Sequence, residues 1–200
     1  MDSYINQMNS RINAAPYGSC FVVSDFTDIM DYETAKKNIA RLEKVGVLRR
    51  VIRGIYDKPK FSNLLGEYVA PDINEIALTI ARSYNWTIAP CGNTALNLLG
   101  LSTQVPANWE YISTGPYRNY VIGNTTIRFV HRSNKTIEGM SWKTAMVIEA
   151  IKAIGKENIE NKTVEILRDR LSSDDKTILL SESRQTTSWI YTVIKDICNV

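Results

Sequence analysis

The chain is poor in the residues from which metal sites and many catalytic centres are built. Its 200 residues include one histidine, His131, and three cysteines, Cys20, Cys91 and Cys198. A structural zinc site needs four ligands that come mainly from these two residue types, so a Cys/His zinc cage is not expected. Three widely separated cysteines provide no disulfide framework and fit a reducing compartment. We therefore expect a cytoplasmic protein with no metal and no cofactor.

Long apolar runs are also missing. No run approaches the roughly 18 residues that span a bilayer, and residues 1–4 lack the basic start and apolar stretch of a signal peptide. Hydrophobic residues make up 44% and charged residues 22% of the chain, close to the averages of folded soluble proteins. The sequence thus predicts no membrane association, and its length allows one large domain or two small ones.

Recognisable catalytic motifs are absent as well. The sequence contains no phosphate-binding Walker loop, no dinucleotide-binding glycine motif, no nucleophile elbow and no zinc-protease helix motif. Cys91 has no possible imidazole partner except His131, and His131 alternates with apolar residues in a strand pattern. A core or half-buried histidine is therefore a better interpretation than a general base. We do not expect an enzyme.

The positive charge is concentrated near the N-terminus. Residues 1–60 contain 10 Lys/Arg and 7 Asp/Glu, whereas residues 61–200 contain 14 of each. Within residues 31–60 the count is 9 basic against 4 acidic. Such an excess is either a solvated face or the footprint of a nucleic-acid-binding module. The order of the predicted elements distinguishes the two.

The first third of the chain is predicted to contain three helices and a short strand. Apolar residues at helical spacing end before Pro16, and residues 20–23 form a short apolar run that is typical of a strand. Ser24 is suited to cap a short second helix. Asp31 can cap a third helix that runs to about Val45.

The third helix has one apolar stripe and one polar face. Ala35, Ile39 and Leu42 lie along the stripe and are expected to pack inward. The opposite side and its flanks carry Glu33, Thr34, Lys36, Lys37, Arg41 and Lys44. For one helix alone, an ordinary solvated face would be sufficient explanation.

The next segment, GVLRRVIRGIYDKP at residues 46–59, predicts a hairpin. β-Branched and aromatic residues flank a two-residue Arg53-Gly54 turn, although imperfect alternation leaves open which of Arg49 and Arg50 faces outward. A helix-turn-helix followed by an Arg-tipped hairpin is the winged-helix arrangement, in which the third helix enters the major groove and the wing reaches phosphates or the minor groove. We expect residues 1–60 to bind DNA; a winged helix used for protein contacts is the alternative.

The expected fold class is α+β, with an N-terminal winged helix-turn-helix and a larger mixed α+β domain that ends in helices. The predicted boundaries are 1–62 and 63–200, with a connector at residues 61–71. Strand patterns occur at residues 86–89 and 109–113, and a hairpin is closed by Gly123-Asn124. Further helical patterns are found at 73–81, 95–99, 142–154, 164–171, 176–180 and 189–197.

A loop and hairpin in the second domain form a candidate partner-binding surface. Aromatic residues together with Arg often anchor protein–protein contacts, and they also suit stacking on a nucleotide. Amphipathic side chains that simply lie on the sheet are the alternative. The residues of this surface are Tyr117, Arg118, Tyr120, Arg128 and Arg132.

Three stretches resemble the AbiEi family, the antitoxins of type IV toxin–antitoxin systems that act in abortive infection. They are ETAKKNIARLEKVGVLRRVIRGIYDKP at 33–59, NWTIAPCGNTALNLLGLSTQVPA at 85–107 and YISTGPYRNYVIGNTTIRFVHR at 111–132. The resemblance implies a winged-helix transcriptional autorepressor whose second domain counteracts a nucleotidyltransferase-like toxin. It leaves open whether the toxin is bound directly and whether the repressor is a homodimer on DNA.

The resemblance also assigns residues to the operator. It implies that double-stranded DNA of the chain's own promoter is contacted by the third helix and the wing. The residues concerned are Thr34, Lys36, Lys37 and Arg41 on the helix, with Lys44 on the same face, and Arg49, Arg50 and Arg53 on the wing.

Three functional interpretations remain open from the sequence. The first is the antitoxin and autorepressor. The second is a winged-helix regulator whose second domain senses a small ligand. The third is an enzyme with Ser, Asp or Arg chemistry in the second domain that the winged helix directs to DNA, which the lack of any catalytic constellation disfavours.

Overall fold

The computed structural model describes residues 3–133 and 139–199. It is a mixed α+β structure, which confirms the predicted fold class. The chain divides into two compact units, Met1–Asn85 and Trp86–Val200.

The first unit has three α-helices, a short 3₁₀ helix and five short strands. Strands β1, β3 and β2 form an antiparallel sheet in that order, and β4 and β5 form a separate hairpin. The elements are α1 (Tyr4–Ala14), β1 (Cys20–Phe21), the 3₁₀ helix (Val23–Phe26), α2 (Tyr32–Lys44), β2 (Arg49–Ile52), β3 (Ile55–Asp57), β4 (Phe61–Ser62), β5 (Glu67–Tyr68) and α3 (Ile73–Ser83).

The core of the first unit joins α1, the 3₁₀ helix and α2. Met8 and Ile12 of α1 pack with Phe26 and with Ile39 of α2, and all four side chains are almost completely buried. The order helix, strand, short helix, helix, hairpin around one core is that of a winged helix-turn-helix. Helix α2 therefore occupies the recognition-helix position and the β2–β3 hairpin the wing position.

The second helix of the motif differs from the expectation that Ser24 would cap an α-helix. It is a 3₁₀ turn that begins at Val23, and the Asp25 carboxylate accepts a hydrogen bond from the Val22 amide at 2.9 Å. The Thr27 hydroxyl donates to the Ser24 carbonyl at 2.9 Å. Short polar side chains that bond to nearby backbone groups compete with α-helical hydrogen bonds, which accounts for the tighter and shorter helix.

The division between the units falls after Asn85 rather than after residue 62. Residues 61–71 were expected to form a connector, but they contain the β4–β5 hairpin, and α3 packs against the winged-helix sheet. The Arg82 guanidinium on α3 forms an ion pair with Asp25 and donates to the Cys20 carbonyl at 3.5 Å. Because these contacts join α3 to the first unit, it is part of that unit.

In its described residues, 86–133 and 139–199, the second unit combines a four-stranded sheet with five α-helices. The strand order is β6-β7-β9-β8; β7 and β9 are parallel, and the other neighbours are antiparallel. The elements are β6 (Ile88–Pro90), α4 (Gly92–Leu98), β7 (Asn108–Ser113), β8 (Arg118–Ile122), β9 (Thr125–His131), α5 (Trp142–Ile154), a 3₁₀ turn (Lys156–Asn158), α6 (Asn161–Arg170), α7 (Ser173–Glu182) and α8 (Ser188–Cys198).

Helix α5 is the centre of the helical part of this unit. Val147 and Ile151 of α5 are fully buried together with Leu167, Ile194 and Ile197 from the later helices. This burial explains why its sequence is apolar on nearly every side. No helix in the described part of the chain is both long and apolar enough to cross a bilayer.

Candidate nucleic-acid interface

Both ends of helix α2 are fixed by local interactions. The Asp31 carboxylate accepts a hydrogen bond from the Thr34 amide at 3.0 Å, and hydrogen bonds from Thr34 hold the pKa of Asp31 below its usual value. The helix stops before Gly46, whose φ of +77° is a left-handed conformation that favours glycine. Arg41 and Lys44 lie in the last turn, where cations interact favourably with the helix dipole.

The outward face of α2 is basic. Ala35 and Ile39 are completely buried, while the polar residues proposed from sequence are exposed, so the predicted stripe is confirmed. Lys36 Nζ lies 3.5 Å from Glu33 Oε1, a solvent-exposed pair that contributes little to stability. A 13-residue helix is about 20 Å long and fits the major groove. The exposed residues of this face are Glu33, Thr34, Lys36, Lys37, Arg41 and Lys44.

Two acidic side chains in the segment before α2 are bound by arginines inside the unit. Arg11 forms two hydrogen bonds to the Asp28 carboxylate, at 2.9 and 2.6 Å, and the bonded guanidinium lowers the pKa of Asp28. Arg82 holds Asp25 in the same bidentate manner. These pairs fix the 3₁₀ helix and the turn before α2, so their carboxylates do not neutralise the cations of α2.

Arg49 has a structural position in the wing. Its Nε and Nη2 atoms contact the two oxygens of Asp57 at 3.0 and 2.5 Å, and Nη1 donates to the Val69 carbonyl at 3.1 Å. The Asp57 side chain is only 1% exposed, and its hydrogen bond raises the pKa of Arg49. A guanidinium committed to a buried carboxylate is poorly placed to bind phosphate. The expectation that Arg49 contacts DNA is therefore replaced by a role in holding β2 against β3.

Arg50 and Arg53 face solvent instead. Arg50 is exposed on β2, which answers the question that the sequence pattern left open. The pairing of β2 with β3 is irregular between Arg50 and Ile52, and a bulge of this kind explains the imperfect alternation. Arg53 is exposed in the two-residue turn, and Gly54 takes a φ of +84° that closes the hairpin.

The result is a set of basic side chains without acidic partners. Across residues 3–133 and 139–199, no ion pair is formed by five of the predicted DNA contacts. These are Lys37, Arg41 and Lys44 on α2, and Arg50 and Arg53 on the wing. Uncompensated cations on a helix and a hairpin tip are what a phosphate backbone attracts.

The second candidate surface is divided by the sheet. Arg118 pairs in register with Phe129 and Tyr120 with Ile127, whereas Arg128 is opposite Asn119. Because successive strand residues point to opposite faces, Arg118 and Tyr120 share one face and Arg128 the other. Arg132 lies one residue beyond the end of β9, and its Nη1 atom donates to the His131 carbonyl at 3.2 Å. The structure therefore does not bring the five predicted partner-binding residues together.

The Arg118 side of the sheet has an aromatic base. The Arg118 guanidinium carbon lies 5.8 Å from the ring centroid of Trp86, and Trp86 contacts Phe129 edge to face at 5.6 Å. Gly115 packs directly on Trp86, since a Cβ atom there would be 2.3 Å from the ring. Tyr117 is exposed beside His131, with 6.3 Å between the ring centroids.

His131 is an exposed residue at the end of β9 and not a core histidine, although its ring nitrogen forms a part-buried hydrogen-bond contact. Its Nδ1 atom lies 3.0 Å from the Gly115 carbonyl oxygen. The predicted alternation of buried and exposed residues holds through Phe129, but His131, the last residue of the strand, lies beyond the edge of the core. Arg128 contacts Glu110 at 3.5 Å on the other face.

The described residues offer no arrangement suited to metal or thiol chemistry. No group of three or more His, Cys, Asp and Glu side chains in this part of the chain is placed to hold a metal ion. Burial, together with the Glu149 and Glu110 carboxylates, raises the pKa of the Cys91 thiol to about 12. The reactive thiolate is therefore scarce at neutral pH.

Sequence reasoning missed the β4–β5 hairpin. Its strands have only two residues each, shorter than a periodicity test detects. The available signal was a Ser-Asn-Leu-Leu-Gly stretch between two aromatics, Phe61 and Tyr68. In the structure these rings meet edge to face at 5.3 Å.

The chain was compared with known proteins and structures. The model of a family described as a family of unknown function, DUF6088, matches residues 7–179. A solved structure described as the crystal structure of RV2827C protein from Mycobacterium tuberculosis is similar, with a TM-score of 0.41 and 12% sequence identity; the match covers 100% of this chain and 77% of that one. No curated protein matches the chain.

Proposed function

The chain belongs to the DUF6088 family, and we propose that it is a DNA-binding transcriptional regulator that represses its own promoter. The observation that carries this proposal is the set of uncompensated cations on α2 and on the wing. Its support comes from the winged-helix order of elements and from the internal arginine pairs that leave these cations free.

The proposed reading mechanism assigns different tasks to helix and wing. Lys37 and Arg41 lie on the outward face of α2, where Lys and Arg side chains commonly hydrogen-bond to guanine edges in the major groove. Arg53 at the wing tip would meet phosphates or the minor groove and so adds affinity more than sequence preference. Arg49 contributes indirectly because its bond to Asp57 holds the wing in place.

We further propose that the chain is the antitoxin of a type IV toxin–antitoxin system and acts in the cytoplasm. The resemblance of residues 33–132 to the AbiEi family supports this, as do three free cysteines, which suit a reducing compartment. The second unit would counteract a nucleotidyltransferase-like toxin. Tyr117 and Arg118, both exposed, are its best-placed candidates for a direct contact.

The DNA-binding proposal is tested by fluorescence anisotropy with promoter DNA and with scrambled DNA of equal length. Wild-type protein should prefer the promoter, and log K should fall with log salt by about 0.9 for each neutralised phosphate. The double substitution Lys37→Ala plus Arg41→Ala should remove the preference. A matched control, Lys156→Ala plus Lys162→Ala, removes two exposed lysines of the second unit and should retain it. Equal binding of both DNAs by wild-type protein would contradict the proposal.

A ligand-sensing regulator is the second candidate, because the second unit contains a cavity of about 200 Å³. Ile112, Ile148 and Ile190 provide apolar walls, and Glu149 and Lys152 form an ion pair of 2.7 Å at its polar side. If this candidate is correct, Ile148→Trp should fill the cavity and make promoter binding insensitive to cell extract. If cell extract does not change promoter binding by the wild-type protein either, the antitoxin proposal is favoured.

A further inference from the structure

The β4–β5 hairpin carries two adjacent leucines that the chain leaves in water. Leu64 is 94% exposed and Leu65 is 67% exposed at the hairpin tip. An isolated two-stranded hairpin is only marginally stable, and burying a leucine side chain contributes roughly 1.5–3 kcal/mol. Two neighbouring leucines held outward on such a hairpin therefore indicate a contact with another molecule.

An open groove lies at the base of the same hairpin. It has a volume of about 420 Å³, and its walls include the exposed side chains of Tyr17, Val47, Phe61 and Tyr68. Lys58 also borders the groove, but its ammonium donates to the Asn13 and Ala15 carbonyls at 2.8 and 2.7 Å. Asn13 and Lys60 line it as well, so the groove combines apolar side chains with a polar rim. Leu64 does not fill it, because its side chain is almost completely solvated.

We propose that the occupant of this groove is the hairpin tip of a second copy of the chain. A two-fold dimer needs a self-complementary surface, on which one patch contacts a second patch and the second contacts the first in return. The first unit provides both patches, a protruding leucine pair and an adjacent groove with apolar side chains. In the dimer, each Leu64-Leu65 tip enters the groove of its partner.

The exposed apolar area of this surface fits a second copy. A stable interface buries about 800 Å² on each partner, and large side chains that are at least half exposed on this surface supply area of that order. They are Tyr17, Phe61, Leu64, Leu65 and Tyr68. The charged residues of this surface are Lys58, Lys60 and Glu67, a balance of +1 on each copy, so apolar area rather than charge supports the pairing.

The dimer goes beyond the proposed function and does not rest on it, since self-association is measured without DNA. If both hold, two copies of α2 would be available for two half-sites, which helix-turn-helix dimers place about 34 Å apart. Failure of DNA binding would leave the dimer intact, and a monomer could still bind DNA.

Sedimentation equilibrium of the full chain without DNA tests the interface. Wild-type protein should be a dimer at about 100 μM, and Leu64→Asp plus Leu65→Asp should weaken self-association roughly 100-fold or more because each subunit would have to bury two carboxylates. The matched control is Val105→Asp plus Val121→Asp, two exposed valines of the second unit that are 76% and 70% exposed. It should dimerise like wild type. A monomeric wild type, or a dimer that survives the leucine substitutions, would overturn the proposal.

Disulfide trapping tests the reciprocal geometry with intact protein. Leu64→Cys protein mixed with Val47→Cys protein should form a cross-linked heterodimer under mild oxidation. Leu64→Cys mixed with Val105→Cys should form about tenfold less, because Val105 lies outside the groove. Equal yields in the two mixtures would show that the tip does not enter the groove and would refute this arrangement. The same result is expected if the leucines bind another protein instead of a second copy.

Discussion

The two units of the chain have nearly the same net charge but use their charges differently. Met1–Asn85 contains 11 basic and 10 acidic residues, a balance of +1, and Trp86–Val200 contains 13 and 11, a balance of +2. Net charge alone does not separate them. They differ in where exposed cations lie, because Lys37, Arg41 and Lys44 share helix α2 and Arg50 and Arg53 share the β2–β3 hairpin.

In the first unit, three arginines bind acids that lie outside helix α2. Asp25, Asp28 and Asp57 are each held by one guanidinium. In the second unit, Lys143 lies 2.8 Å from Asp175 and Lys152 lies 2.7 Å from Glu149, while the exposed Lys156 and Lys162 lie on separate elements. The comparison indicates that a candidate basic interface depends on cations gathered on one helix and one hairpin rather than on the net charge of the unit.

The largest effect is expected where a buried acid would lose its partner. Arg49→Ala leaves the Asp57 carboxylate, which is 1% exposed, without a cation. Breaking a buried pair costs about 3–5 kcal/mol, and the partial exposure of Arg49 favours the lower end of that range. The unfolding free energy from urea denaturation should fall by about 3 kcal/mol. The neighbouring Arg50→Ala should cost less than about 0.5 kcal/mol, and equal costs would contradict the distinction between them.

The substitution Gly115→Ala should destabilise the second unit and leave the proposed DNA interface unchanged. Gly115→Ala places a Cβ atom 2.3 Å from the Trp86 ring, and overpacking of this kind costs about 1–3 kcal/mol. The melting temperature should fall while promoter affinity at 25 °C stays within about twofold. Gly123→Asn is a suitable control, because nothing lies within 4 Å of a Cβ there and asparagine tolerates the φ of +56°. Loss of promoter affinity in Gly115→Ala would show that the two units do not act separately.

Arg53 on the wing should contribute to the affinity for DNA but not to the discrimination between promoter and scrambled DNA. Arg53→Ala removes one exposed cation at the hairpin tip, so the salt dependence of log K should become shallower by about 0.9. Promoter and scrambled DNA should lose affinity by similar factors, measured by the same anisotropy titrations. A change confined to the promoter would mean that Arg53 reads bases, contrary to its assigned task.

The smallest effect is a pH dependence in the second unit. Hydrogen bonds from Lys143 and Ser172 lower the pKa of Asp175 from 3.8 to about 2. Because the folded pKa is the lower one, the stabilisation is present above about pH 4 and is lost as pH falls toward 2. Lys143→Ala should raise the pKa of Asp175 in an NMR titration and reduce stability only slightly, since the lysine is 46% exposed. An unchanged pKa would mean that Ser172 alone sets it.

Much of the fold and part of the interface could be predicted from the sequence. Helical spacing located α2 and α5, and the Arg53-Gly54 and Gly123-Asn124 turns located two hairpins, because these are local signals. The pairing of Arg49 with Asp57 and of Arg82 with Asp25 was not predictable, since each depends on how separate elements pack. The β4–β5 hairpin was missed because two-residue strands leave no period. The split of Arg118 from Arg128 follows from strand register, which the pattern alone did not fix.

Affinity cleavage tests the central claim most directly, since it reports which surface of the protein lies against DNA. An iron chelate attached to Lys36→Cys on α2 should cut promoter DNA at a few adjacent positions on each strand, as expected for a helix in the major groove. The same chelate on Lys156→Cys in the second unit, and wild-type protein treated with the reagent, provide the background. Localised cleavage from α2 is the predicted result. Cleavage from Lys156→Cys that equals or exceeds that from Lys36→Cys would contradict the account.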